Sequence, residues 1–202
     1  GPIFGRYYNV FVDVATRYSF VYELKAKTEV INTITTLVQR ARLLGHRVGT
    51  IRHDPSGEQC SAVWMQTLLQ FGIIDQRIMP RSQWENGLAE RQIGRLIASA
   101  RAMLVHAMLP LKRFTPAAIM QANYVYNICC QAKLGWQSPH ALLYGKPPSV
   151  QNLRIFGSEC YVIKPHSHIH GGTEYVNKMS GYAVQGILLG EDDHGGNGWL
   201  IQ

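Results

Sequence analysis

Asp54 and Glu90 are the residues whose types and spacing could do chemistry, with 35 residues lying between them. Asp54 follows a short apolar run, residues 48–51, where a strand should be ending. Glu90 falls in the first turn of a long periodic helix. A strand end is a rigid support for one carboxylate, and a helix wall can set a second one opposite it. Such a pair suits a hard divalent ion, Mg²⁺ or Mn²⁺, which takes oxygen ligands and keeps coordination positions for phosphate oxygens. On this reading the two carboxylates hold ions that acidify a bound nucleophile and neutralise charge on a phosphate group. The plainer reading makes Asp54 a polar strand end and Glu90 a first-turn acid facing the helix dipole.

Other side chains could serve the same chemistry. Arg91, Arg95, Arg101, Lys112 and Arg113 could line a phosphate-binding face, with contacts that are independent of base sequence and sensitive to salt. A solvated helix face is the equal alternative. Trp84, in a loop before Glu90, is placed to stack on an unpaired base or to pack beneath that loop. His53 sits beside Asp54 and reads as a strand-end structural residue, with entry into the site as the other reading. Glu58 and Glu85 are spare carboxylates near the pair. His166, His168 and His170 alternate, so an extended chain would put three imidazoles on one face for Zn²⁺, Ni²⁺ or Cu²⁺; a polar solvent-exposed loop is the plainer reading.

The elements that must position these groups are legible from apolar spacing. Residues 7–16 and 18–24 are rich in Tyr, Phe and Val and read as a hairpin. Thr28 is expected to cap a helix whose apolar residues Val30, Ile34, Leu37, Val38, Ala41 and Leu44 lead to a stop at Gly45. A strand over 48–53, a helix over 61–71 stopped by Gly72, and a strand over 73–79 follow. A long helix over 87–106 carries the stripe Ile93, Leu96, Ile97, Ala100, Met103, Leu104 and Ala107. The next is expected over 115–130 with Pro116 in its first turn, and a short one over 139–144. From Ser149 the pattern changes to strand-like runs at 154–156, 160–164, 182–189 and 199–201, separated by Gly/His-rich linkers.

The chain has 202 residues, 46% of them hydrophobic and 16% charged, which suits a folded domain with a small appendage and argues against disorder. A net charge of +7 favours an anionic partner such as nucleic acid. No apolar run approaches the roughly 18 residues that would suggest a membrane span. Cys60, Cys129, Cys130 and Cys160 form no CxxC pair, so neither a zinc site nor a disulfide framework is expected.

Several blocks resemble copia-type retrotransposon integrases. "ENGLAER" at 85–91, after "MPRSQW", resembles the family's "QQNGVAER". "IRHDPSGEQ" at 51–59 resembles "RSDNGGEF", and "VDVATRYSFVYELKAKTEV" at 12–30 looks like "IDDYSRYTWVYFLKSKSEV". "LRIFGSECYVIKP" at 153–165 and "GILLG" at 186–190 are similar to segments that follow the catalytic core in the same polyproteins. The blocks stand in family order over nearly the whole chain.

The resemblance implies an α/β fold: an RNase H-like, retroviral integrase-type core over residues 1–148, with a small β-rich C-terminal extension over 149–202. It implies DNA 3′-end processing and strand transfer dependent on Mg²⁺ or Mn²⁺, with Asp54 and Glu90 as catalytic metal ligands. DNA partners, self-association, and action in the nucleus without membrane attachment are further expectations.

The family site uses three carboxylates, the first on a strand upstream of the "IDDYSR" strand. That strand is expected to be missing here, leaving a gap in the sheet and a chain inactive by itself. Asp13 matches an Asp within "IDDYSR", at a different place on the sheet, and reads as a polar residue near a turn. Two departures lie beside the chemistry. Pro55-Ser56 replaces Asn-Gly after Asp54, and Gln92-Ile93-Gly94-Arg95-Leu96 replaces a basic "KNRTL" run. They favour the alternative: a domesticated, non-catalytic module for DNA binding or for a host protein partner.

Overall fold

The computed structural model describes residues 6–54, 59, 61–78, 87–151, 153–163, 183–191 and 199–201. The opening hairpin is β1 (Tyr7–Val12) and β2 (Ser19–Leu24), antiparallel with Val10 opposite Val21 and Phe11 opposite Phe20. Its connection is held by Asp13, whose Oδ2 accepts from the Thr16 amide at 2.8 Å and the Thr16 hydroxyl at 2.6 Å. Asp13 therefore has the turn role that its place in the sequence suggests. The buried Ser19 backbone, at the start of β2, is paired by side-chain amides: Asn127 Oδ1 accepts from Ser19 N at 2.8 Å. Asn127 and Asn123 donate to Ser19 O at 2.8 and 3.0 Å. Both backbone groups of the buried Ser19 thus find partners.

Helix α1 (Val30–Leu43) buries Ile34, Leu37 and Val38, at the three- and four-residue spacing that puts them on one face. Its start corrects the expected cap. Thr28 lies inside a preceding 3₁₀ turn (Lys27–Glu29), and Glu29 occupies the cap position while its carboxylate accepts from the Lys25 amide at 2.8 Å. Strand β3 (Thr50–His53) pairs in parallel with β4 (Ile74–Arg77), and α2 (Ala62–Phe71) forms the crossover between them. Helix α2 is bounded as its sequence requires: the Ser61 hydroxyl accepts from the Trp64 amide, and Gly72 turns left-handed at φ 64°.

Helices α3 (Gly87–His106) and α4 (Leu111–Ile128) pack on each other and on the hairpin. One core cluster joins Val21 of β2 to Leu96, Ala100 and Leu104 of α3 and Phe114, Ala118 and Ala122 of α4. A second cluster, on Ile34, Val38, Ile51, Trp64 and Leu68, lies under α1 and α2. The buried face of α3 is not quite the expected stripe. Gln92 is buried in it, one turn before Leu96, while Ile93 is 41% exposed. Helix α4 begins four residues before the expected start, with Pro110 at its cap and Pro116 inside it. Helix α5 (Pro139–Tyr144) is short and capped by Ser138.

Among the described residues, the β1–β2 and β3–β4 pairs form separate ladders. A third sheet is antiparallel, in the order β5 (Glu159–Ile163), β6 (Ala183–Glu191), β7 (Trp199–Ile201). The strand expected over 154–156 is irregular chain instead, because Phe156 turns inward to the α3–α4 core and Gly157 reverses the backbone at φ 81°. A Cβ on Gly157 would lie 2.3 Å from Ala107 Cβ, and one on Gly190 would lie 2.6 Å from Gln121 Oε1. These two glycines let the third sheet approach α3 and α4, where Ile187 and Leu189 join the core.

Candidate functional site

Asp54 is exposed and follows His53, the last residue of β3. Glu90 is exposed in the first turn of α3. The strand-end and helix-start supports read from the sequence are therefore both formed. Trp84, Glu58, Glu85 and the His166–His168–His170 group lie outside the described residues.

Among the described residues no three His, Cys, Asp or Glu side chains converge on a metal-sized site. Two exposed carboxylates are nevertheless the right donors for Mg²⁺, which commonly binds through one or two carboxylates and completes its shell with water and substrate phosphates. The donor set fits an ion shared with a phosphate ligand rather than one enclosed by protein.

Beneath Asp54 lies a network the sequence reading did not assemble. The His53 ring, 6% exposed, stands between β3 and β4. Its Nδ1 donates to the Asp54 carbonyl at 2.8 Å, and its Nε2 faces Asp75 Oδ1 at 2.7 Å. Asp75 also accepts from Arg77 Nε at 3.0 Å and from Trp64 Nε1 at 3.4 Å. The indole of Trp64, itself fully buried, meets the imidazole edge-on at 5.0 Å. Burial would push the Asp75 carboxyl up, but the hydrogen bonds from His53, Arg77 and Trp64 outweigh it and hold Asp75 below the usual carboxylate value. The sequence signal for this cluster was weak. It needed the β3–β4 register, which sets Ile51 opposite Asp75 and His53 opposite Arg77.

The basic residues are distributed along two helices. Arg91 and Arg95, one turn apart on α3, are both exposed. Arg91 Nε donates back to the Gly87 carbonyl at 2.6 Å, which fixes its guanidinium near the start of the helix. Arg101 is exposed two turns further on. Lys112 and Arg113 open α4, and the Arg113 guanidinium lies 5.3 Å from the Phe114 ring centroid. Cations are disfavoured by the positive end of a helix dipole, so an anion at the start of α4 would relieve that repulsion. From Arg91 to Ser158 the sequence contains no Asp or Glu, so no acidic side chain of that stretch can neutralise these five.

No family model matches the chain. Curated relatives do. The Retrovirus-related Pol polyprotein from transposon RE2 of Arabidopsis thaliana is 36% identical over 77% of this chain. The corresponding RE1 polyprotein of the same plant is 36% identical over 92% of it. That from transposon TNT 1-94 of Nicotiana tabacum is 28% identical over 93%. The chain spans only 11%, 12% and 14% of those polyproteins.

Among solved structures, a chain of the simian T-cell lymphotropic virus intasome in complex with PP2A regulatory subunit B56 gamma superimposes with a TM-score of 0.56. The identity is 17%, covering 90% of this chain and 62% of that one. The HTLV-2 integrase catalytic core domain in complex with magnesium, in its trimeric form, gives a TM-score of 0.51 at 21% identity. It covers 66% of this chain and 81% of that one. These structural likenesses show the fold, an RNase H-like α/β integrase core. With the polyprotein relatives they place this chain as an integrase-like domain of the copia-type retrotransposon Pol polyprotein family.

Proposed function

We propose that this domain holds DNA by its phosphates along the exposed basic residues of α3 and α4. In the longer polyprotein, Asp54 and Glu90 would serve as oxygen ligands beside that DNA for phosphodiester transfer. The observation that carries the reading is the run from Arg91 to Ser158 without a single carboxylate, which begins right after Glu90. Arg91 and Arg95 would hold and orient the backbone nearest Glu90, and Lys112 and Arg113 a phosphate at the start of α4. A bound Mg²⁺ or Mn²⁺ would supply charge neutralisation of the reacting phosphate and a more acidic nucleophile. Self-association, as in the trimeric and dimeric forms of the HTLV-2 core, and a nuclear place of action belong to the same proposal.

Fluorescence anisotropy with a labelled duplex over a range of salt tests it. Each phosphate contact contributes about −0.9 to the slope of log K against log salt. Arg95→Ala, Arg101→Ala and Lys112→Ala should each lower that slope by about one unit. Binding that is absent at low salt, or indifferent to all three changes, overturns the reading.

A second reading, a non-catalytic DNA-binding module, is favoured by the residues beside the two carboxylates: Pro55-Ser56 follows Asp54, and Gln92-Ile93-Gly94 follows Glu90-Arg91 where the resembling family has a basic run. A chain that binds DNA but takes up no Mn²⁺ would select it.

A further inference from the structure

We infer that His53 is a positioning residue for the Asp54 carboxylate, acting through the Asp54 backbone and anchored on Asp75. The inference rests on the proposed role of Asp54 as a divalent-metal ligand. Asp54 stands one residue beyond the β3–β4 ladder, whose last strand-to-strand contact is the Ile78 amide donating to the His53 carbonyl at 3.1 Å. A residue so placed depends on other bonds to keep its backbone in one orientation.

The His53 ring supplies such a bond. Nδ1 holds the Asp54 carbonyl at 2.8 Å, and that carbonyl defines the peptide plane following Asp54. Fixing the plane fixes ψ of Asp54 and so the direction in which its Cβ carries the carboxylate. Pro55 narrows Asp54 further, since a residue before proline is kept out of the helical region.

A bond from a neighbouring side chain orients nothing unless the side chain is itself immobile. Here the imidazole is 6% exposed, packed edge-on against the buried Trp64 and tied at Nε2 to Asp75. Asp75 belongs to β4, so the chain of contacts runs from the Asp54 peptide through the ring to the neighbouring strand. Side chains that orient metal ligands from behind commonly change affinity about 10–100-fold when lost. His53 acts through the backbone, and the lower end, about tenfold, is the expectation.

The test uses Mn²⁺ alone with the full chain, its dissociation constant read by water-proton relaxation well below the melting temperature. Asp54→Asn should abolish the tight component. His53→Leu should weaken it about tenfold, and His53→Gln, whose amide can still donate to one acceptor, should recover part of the loss. Leu68→Val, a change in the same apolar cluster away from the network, should lower the melting temperature and leave Mn²⁺ affinity as it was. If His53→Leu does not fold, Asp75→Asn takes its place with the same expected direction.

Affinity unchanged in folded His53→Leu or Asp75→Asn overturns the inference, as does an equal loss in Leu68→Val. A parent chain that binds no Mn²⁺, or binds it equally with Asn at position 54, overturns the ligand role of Asp54 and the inference with it. Parent binding that vanishes in Asp54→Asn but ignores His53 overturns the inference alone.

Discussion

Gln92 offers a test with an unusual sign. It is 1% exposed on the face of α3 that carries Leu96 and Ala100, and neither its Oε1 nor its Nε2 has a hydrogen-bond partner among the described residues. A buried polar group without a partner costs about 1–3 kcal/mol in desolvation. Gln92→Met keeps the length and unbranched shape of the side chain, and the two residues have nearly the same helix propensity. What changes is the removal of the amide, so the variant should be more stable by about 1–3 kcal/mol. For a chain of this size each kcal/mol moves the melting temperature by about 2–4 °C, so a rise of several degrees is expected. Calorimetry with parallel urea unfolding checks it, the midpoint rising at constant m-value. A fall in stability would refute the argument, because it would mean that the amide is satisfied in the folded protein.

Three further outcomes follow from the same physics. The Asp75 carboxyl is held below its ordinary value by its donors, so its contribution is fully present above about pH 4, the unfolded value, and fades as pH falls through the folded one. Asp75→Asn should flatten the acid limb of the stability curve, and an unchanged limb would be evidence against the network. Tyr8 is pushed up to about 12, first by burial and then by Glu23, with Arg6 opposing. Its contribution is present below the unfolded value near pH 10 and lost as pH rises towards 12, so Tyr8→Phe should lessen alkaline destabilisation in pH-jump melts. Gly157→Ala would put a Cβ 2.3 Å from Ala107 Cβ at φ 81°, and should cost about 2–5 kcal/mol in urea unfolding. A loss below 1 kcal/mol would show that the contact relaxes freely.

The sequence made helices α2 and α3 readable because their ends are written in single residues: Ser61 before α2, Gly72 after it, and the strong apolar repeat of α3. It misplaced the start of α4, because Pro116 reads as a first-turn residue while the five residues before it, Leu111 to Thr115, are too few to show an apolar repeat of their own. Here Phe114 is buried in a core with Val21 of β2, residues of α3 and Phe156, which no local pattern reveals. The carboxylates Asp54 and Glu90 were legible from type and supporting element. The Asp75–His53–Trp64 cluster was not, since its members lie on three elements and meet only through strand register and the α2 crossover. Gln92 was passed over because a polar residue in an apolar repeat reads as the solvent side.

The absence of carboxylates from Arg91 to Ser158 also sets which solution variable controls this face. Lysine and arginine keep their charge to above about pH 10, and no acid in the stretch can be neutralised on acidification. If DNA is held there as proposed, carboxylate protonation within the stretch cannot change that hold, and ionic strength would be the lever that loads and unloads it.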